Sequence, residues 1–291
     1  VRDALLSESV PPQAHGRAFG FQGAMDTVGA IIGPAIALSL VGVLPLPRIF
    51  LIAFIPGAIT VYIALFVLRE VPRAAQPKLR LWASYRELPR DFWLYVGAVG
   101  VFGLGNFAHT LLVLHAVRLL APYYTQLYGD PEAAEKLANQ VGIGLFIIHN
   151  VLYAAASYPA GALGDRIDKK LLLAFGYALF GVMCLGFLFT GPDLAALVVL
   201  FGMAGVYIAV VDAMQRAIAA DLLPLERRAT GYGALATVNS FGDLGSSIAV
   251  GLLWTYASPA AGFAYGAVLT LLGALALVFV PKRPPPAGAA G

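Results

Sequence analysis

Eight stretches of this chain are apolar all round for about twenty residues or more, the length an α-helix needs to cross roughly 30 Å of hydrocarbon. They run over residues 18–43, 49–68, 92–120, 141–163, 171–190, 194–220, 231–257 and 262–280. In lipid, backbone N–H and C=O groups must find partners within the protein, so only helices or a closed barrel can span. A barrel would show alternating strands of about ten residues. These runs do not alternate, so the expected fold class is all-α, a polytopic membrane bundle of eight transmembrane helices. Breaks such as Leu44-Pro45-Leu46-Pro47 and Gly191-Pro192-Asp193 end helices, because proline cannot donate the next backbone bond.

Composition excludes a soluble domain. The chain is 59% hydrophobic and 12% charged, with a mean hydropathy of +0.79, against about a quarter charged residues in soluble proteins. The single cysteine, Cys184, lies in an apolar run and has neither a disulfide partner nor a ligand cluster around it. No Gly-x4-Gly-Lys-Ser/Thr loop and no His-Glu-x-x-His pair occurs, which argues against ATP use and metalloenzyme chemistry. No cofactor, metal or nucleic-acid partner is expected. Basic residues sort by loop: Arg17, Arg69, Lys78, Arg86, Arg166, Lys169, Lys170, Arg227, Arg228 and Lys282 fall on one side, and only Arg48, Lys136 and Arg118 on the other. Positive loops stay cytoplasmic, which puts both termini there.

Part of the sequence occurs twice. Ala4, Glu8, Pro11, Gln13, Phe19, Gly20, Asp26, Thr27 and Gly29 align without a gap on Ala217, Asp221, Pro224, Glu226, Tyr232, Gly233, Asn239, Ser240 and Gly242, at a constant offset of 213 residues. From the run 18–43 to its echo 231–257 the count advances by six, so the repeating unit is six helices, inserted twice with the same orientation. Residues 1–70 are read as the remnant of a first bundle, 71–91 as a cytoplasmic connector, 92–281 as a complete second bundle and 282–291 as a disordered tail. Four further helices are expected upstream, for twelve in all. In the connector, Leu79, Leu81, Trp82, Tyr85 and Leu88 recur near helical spacing between basic residues, as in a helix lying in the membrane interface. The loop 121–140 carries Tyr123, Tyr124 and Tyr128 as interfacial anchors.

The sharpest local motif is Gly161-Ala-Leu163-Gly-Asp165-Arg166-Ile-Asp168-Lys169-Lys170, between two runs. Gly161 permits close helix approach, and Asp165 can accept backbone bonds or sit at another helix's positive N-terminus. The motif resembles the Gly-x-Leu-x-Asp-Arg-x-Gly-Arg-Lys signature of the major facilitator superfamily, and falls at the helix connection where that family carries it. Asp168 departs from it by standing where the family usually has glycine. A second resemblance lies in Gly20, Gly29 and Gly33-Pro34, which look like the family's antiporter motif, with Ala37-Leu38 in place of its glycine pair. The resemblance implies a secondary transporter working by alternating access, with Asp165 and Arg166 forming a charge relay with Asp221 and Arg228 that gates the cytoplasmic side. A static clamp is the alternative.

Ionisable groups inside a membrane cost about 2.5–3.5 kcal/mol on insertion scales and call for a reason. Asp212 and Arg216 are one turn apart and read as an intrahelical pair. Asn106, His109, His149, Asn150, Asn239 and Asp243 come from three helices at similar depth and, with Asp26 nearer the cytoplasm, read as candidate cavity residues. His149 and Asp243 are candidate proton carriers; alternatively His109 and His149 only bond neighbouring helices. The expectation is a multi-pass protein of a bacterial inner membrane, monomeric when complete, exporting a small molecule in exchange for protons. An uptake permease, or a transporter-like sensor without flux, is the alternative.

Overall fold

A computed structural model describes residues 2–40, 44–67 and 85–281, and the regular elements among them are helices. They are α1 (Arg2–Glu8), a 3-10 turn (Pro12–Ala14), α2 (His15–Leu40), α3 (Leu46–Tyr62) with a wider turn after it (Ile63–Val67), α4 (Arg90–Gly103), α5 (His109–Tyr128), α6 (Pro131–Gly164), α7 (Lys169–Phe189), α8 (Leu194–Leu222), a 3-10 turn (Leu225–Arg227), α9 (Arg228–Tyr256) and α10 (Pro259–Ala276). The expected interfacial helix of the connector and the tail 282–291 lie largely or wholly outside the described residues.

Helix starts follow local chemistry. Asp130 accepts the backbone N–H groups of Glu132 and Ala133 at 3.0 and 3.2 Å and begins α6. Asp193 caps α8 through Ala195 N–H at 2.9 Å, and Ser258 caps α10 through Ala261 N–H at 3.2 Å. Asp168 caps α7 through Lys170 N–H at 2.9 Å. The residue that departs from the family signature therefore takes up a free donor at a helix start.

Two expectations change. The run 92–120 is two helices rather than one, because α4 ends at Gly103 and α5 starts at His109. The expected loop 121–140 is mostly helix: α5 runs on to Tyr128, Gly129 stops it at φ 75°, and α6 starts at Pro131. The three tyrosines thus lie on the last turns of α5, with ring centroids of Tyr123 and Tyr124 5.7 Å apart and those of Tyr124 and Tyr128 6.1 Å apart. At 34 residues, α6 is long enough to extend well beyond the hydrocarbon.

Among the described residues, α6, α7, α8 and the span Pro259–Phe279 are long and apolar enough to cross a membrane. The 29-residue α9 is not among them, for it carries Thr230, Thr237, Asn239, Ser240, Asp243, Ser246 and Ser247. The core is aromatic, with Tyr95, Phe102, Tyr177, Phe180, Tyr207 and Phe263 fully enclosed. Phe102 and Tyr177 stack face to face at 3.7 Å. α2 lies along α6 and α8, while α4 packs on α9 and α10. By contrast most large side chains of α3 are exposed, Phe50 at 73%.

The internal repeat returns in the geometry. The turns 12–14 and 225–227, and the starts of α2 and α9 at His15 and Arg228, share the 213-residue offset. The two starts lie at one end of the bundle, because His15 and Arg228 both reach the carbonyl of Ser7.

Candidate functional site

A cavity of 510 Å³ lies among α4, α5, α8 and α9, with Asp3 of α1 at its wall. The break between α4 and α5 opens onto it. Residues 104–108 leave the helical path, and Asn106 is held there from both sides: its carbonyl accepts the hydroxyl of Ser246 at 2.6 Å, and its amide donates to Asp243 at 3.0 Å. Ser247 accepts the N–H of Ala108 at 3.1 Å. Backbone freed from a helix inside a membrane is tolerated where protein or a polar cavity satisfies it, and α9 supplies that satisfaction. This is the use of its polar face.

From Asn106 a hydrogen-bonded line runs outward. The hydroxyl of Tyr207 donates to the Asn106 side-chain oxygen at 3.1 Å and pairs with Nε2 of His109. His109 in turn lies 4.8 Å, centroid to centroid, from the ring of His149. The sequence Asp243, Asn106, Tyr207, His109 thus joins a carboxylate to an imidazole through two polar groups, across α9, the break, α8 and α5.

A second group sits nearer α1. Arg216 lies 3.8 Å from both Asp212 and Asp3, and Asp212 also pairs with the hydroxyl of Tyr153. Gln215, between them in sequence but on another face, is a buried hub: its carbonyl accepts Tyr95 at 2.8 Å, its amide donates to Tyr177 at 2.9 Å, and its side-chain oxygen accepts Asn239 at 2.9 Å. An amide deep in the bundle is tolerated because both its oxygen and its nitrogen are bonded.

At the end of the bundle that carries the 161–170 loop, α2 and α6 touch backbone to backbone. A Cβ on Gly16 would meet the carbonyl of Gly161, one on Gly161 the carbonyl of Gly16, and one on Gly20 the carbonyl of Ser157. Gly29 and Gly33, further along α2, meet nothing within 4 Å among the described residues. Asp165 closes the contact. It accepts the N–H groups of Gly16 and Arg17 at 2.7 and 3.0 Å and Nε of Arg17 at 3.1 Å. A carboxylate there completes free donors at the positive end of α2.

Of the residues singled out from sequence, Asn106, His109, Asp212, Arg216, Asn239 and Asp243 line the cavity. His149 lies behind His109, buried, while Asn150 bonds the Phe146 carbonyl of its own helix at 2.8 Å, and Asp26 faces Arg2 at 3.3 Å. These three do not line it. Gly20 and Gly161 join the α2–α6 contact, and Pro34 lies further along α2. The partners of the loop differ from the expected relay. Asp165 holds α2; Asp221 is held by Lys169 at 2.6 Å and His15 at 3.0 Å, and Arg228 by the carbonyls of Ser7 and Ala220 at 2.7 and 3.2 Å. Sequence reasoning missed Tyr207, Gln215, Tyr153, Asp3 and His15. Gln215 alone left a trace, as an amide within an apolar run between two noted charges.

An all-helical bundle with apolar spans, broken beside a polar cavity and carrying a sequence repeat at its loop end, fits a multi-pass membrane protein. The sequence model of the Major Facilitator Superfamily matches residues 1–147 and 119–291, which together are the whole chain. A protein of Methanocaldococcus jannaschii described as an uncharacterized MFS-type transporter is 34% identical over 281 residues, covering 96% of this chain and 67% of its own. Uncharacterized proteins of Mycobacterium bovis and Mycobacterium tuberculosis are 28% identical over 316 residues, covering 98% of this chain and 67% of theirs. The chain belongs to the major facilitator superfamily, and with it to the multi-pass membrane transporters of small molecules.

Proposed function

We propose that the protein exports a small molecule in exchange for protons, by alternating access between two bundles, residues 1–70 and 92–281, joined by the connector 71–91. The supporting observation is the line from Asp243 through Asn106 and Tyr207 to His109, which places a titratable carboxylate on the cavity wall and ties it to the broken helix. A proton taken up by Asp243 removes the negative end of its bond with Asn106, and so acts directly on the segment that gives the cavity its shape. Asp212, Arg216 and Asn239 supply further polar wall. In this reading the loop end is cytoplasmic, as its basic residues indicate, the membrane is a bacterial inner membrane and the transporter is a monomer. The α2–α6 contact held by Asp165 is the closed cytoplasmic gate, and the cavity then faces outward. The glycine row Gly20, Gly29, Gly33-Pro34 favours export over uptake.

The test uses the complete protein in inside-out vesicles carrying a pH gradient. Candidate solutes are added singly, and dissipation of the gradient is read by a pH-sensitive dye. Export by proton exchange gives solute-dependent dissipation that Asp243→Asn abolishes. Solute movement that ignores the gradient would remove proton coupling, and no movement of any solute that binds would favour a sensor.

A further inference from the structure

The two copies of the repeat place different bases at one position, and the structure gives both a cross-linking role. His15 and Arg228 are related by the 213-residue offset, as are Ser7 and Ala220. Each base bonds the carbonyl eight residues before it in its own copy: His15 Nε2 to Ser7 at 3.0 Å, Arg228 to Ala220 at 3.2 Å. Each also reaches across to the other copy, His15 Nδ1 to Asp221 at 3.0 Å and Arg228 to the Ser7 carbonyl at 2.7 Å. The result is a two-fold clasp over the loop end of the bundle, next to the α2–α6 contact.

Its two halves differ in chemistry. A guanidinium is charged at every physiological pH, and an imidazole is not. Both ring nitrogens of His15 face acceptors, a carboxylate and a carbonyl, and the ring is 1% exposed. A neutral ring carries one N–H, so one nitrogen lone pair would point at an oxygen lone pair. Only the doubly protonated ring fills both bonds. The groups around it are Ser7 of α1, with Glu8 following it; Asp221 of α8, whose other oxygen is taken by Lys169 of α7 at 2.6 Å; Arg228 of α9, which shares the Ser7 carbonyl; and Asp165, just after α6, bonded to the next residue, Gly16.

We propose that His15 is a proton-dependent latch on the gate: protonated, it fills both bonds and ties the first copy to Asp221 of the second through a charge-assisted bond, and deprotonated it keeps only one of the two bonds and loses the charge, while Arg228 still holds. This rests on the reading of the α2–α6 contact as a gate. Because both bonds are filled only by the doubly protonated ring, acid on the loop side favours closure and alkaline conditions there favour opening. The latch is separate from the coupling carboxylate Asp243, and would open the gate when the loop side is short of protons.

The experiment follows gate opening with Ser157→Cys, whose side chain is enclosed between α2 and α6, using a membrane-impermeant maleimide on inside-out vesicles of the complete protein. Cys184 is sealed in the core and serves as the internal blank. Comparing the wild-type background with His15→Arg at each pH cancels the pH dependence of the thiol itself. The labelling ratio is expected to be near one at about pH 6 and to rise to about tenfold at about pH 8.5, the effect of one unfilled buried bond. His15→Phe offers no donor in either condition and is expected to label fast at both. A ratio that stays flat with pH, or His15→Phe labelling as slowly as wild type in acid, overturns the latch. Asp165→Asn is the separate control on the gate. If it raises labelling at both pH values while the ratio is flat, only the latch is lost; if it leaves labelling unchanged, the gate reading goes, and the latch with it.

Discussion

Asp165 shows how one side chain can hold two units together. With 5% of its side chain exposed, it accepts three donors from the start of α2. Hydrogen bonds to a charged group contribute about 1.5–3 kcal/mol. Asp165→Asn turns an amide toward two N–H groups, and is expected to leave the amount of protein in the membrane unchanged while slowing transport about tenfold or more. Wild-type flux at normal abundance would show that the contact is only a clamp. At the cavity, Asp243→Asn keeps an oxygen for Asn106 and loses the ionisable group. Flux should no longer be driven by an imposed pH gradient, while solute binding persists. Tyr207→Phe cuts the line between His109 and Asn106 without emptying the core, and is expected to slow flux with little change in thermal stability. His149→Ala should keep the pH dependence of flux, because His149 does not line the cavity.

Between elements, small residues decide how closely helices approach, since lipid gives apolar side chains no reason to prefer each other. The contact of α2 with α6 depends on Gly16, Gly20 and Gly161, and that of α9 with α4 on Gly242 against Gly103. Overpacking costs about 1–3 kcal/mol, so Gly161→Val should lower the melting temperature in detergent, whereas Gly29→Val, facing open space among the described residues, should leave it within about 0.5 kcal/mol of wild type. Equal effects at the two sites would contradict the packing. The helix break at 104–108 was hidden in sequence for a related reason. Gly103, Gly105 and Asn106 are mild helix breakers inside an apolar run, and the groups that stabilise the break, Ser246, Ser247 and Asp243, come from a helix about 140 residues later. Local propensity does not see such partners.

Across the whole molecule, the α2–α6 contact can be tested by tying it shut. A Cβ on Gly23 would lie 3.8 Å from the Cβ of Ser157, close to the mean for a disulfide. Gly23→Cys with Ser157→Cys is expected to cross-link on oxidation, abolish transport and recover it on reduction. Cross-linked protein that still transports would mean the two helices never separate during the cycle. The repeat that frames this contact was readable directly, because a duplicated unit keeps its spacing: the turns 12–14 and 225–227 return at the sequence offset to the residue. Hydropathy likewise determined the helical class, since a membrane leaves the backbone few other choices, though it did not show the break within 92–120. The partners of each charge were decided only by tertiary structure. Asp165 reaches α2 rather than Arg228, Asp221 binds His15 and Lys169, and Gln215 and Tyr207 become the joints of the cavity. Spacing along a helix fixes which face a polar group takes. What stands opposite depends on how the helices are rotated and crossed, and that is set by the summed packing of glycines and aromatic side chains far apart in the chain.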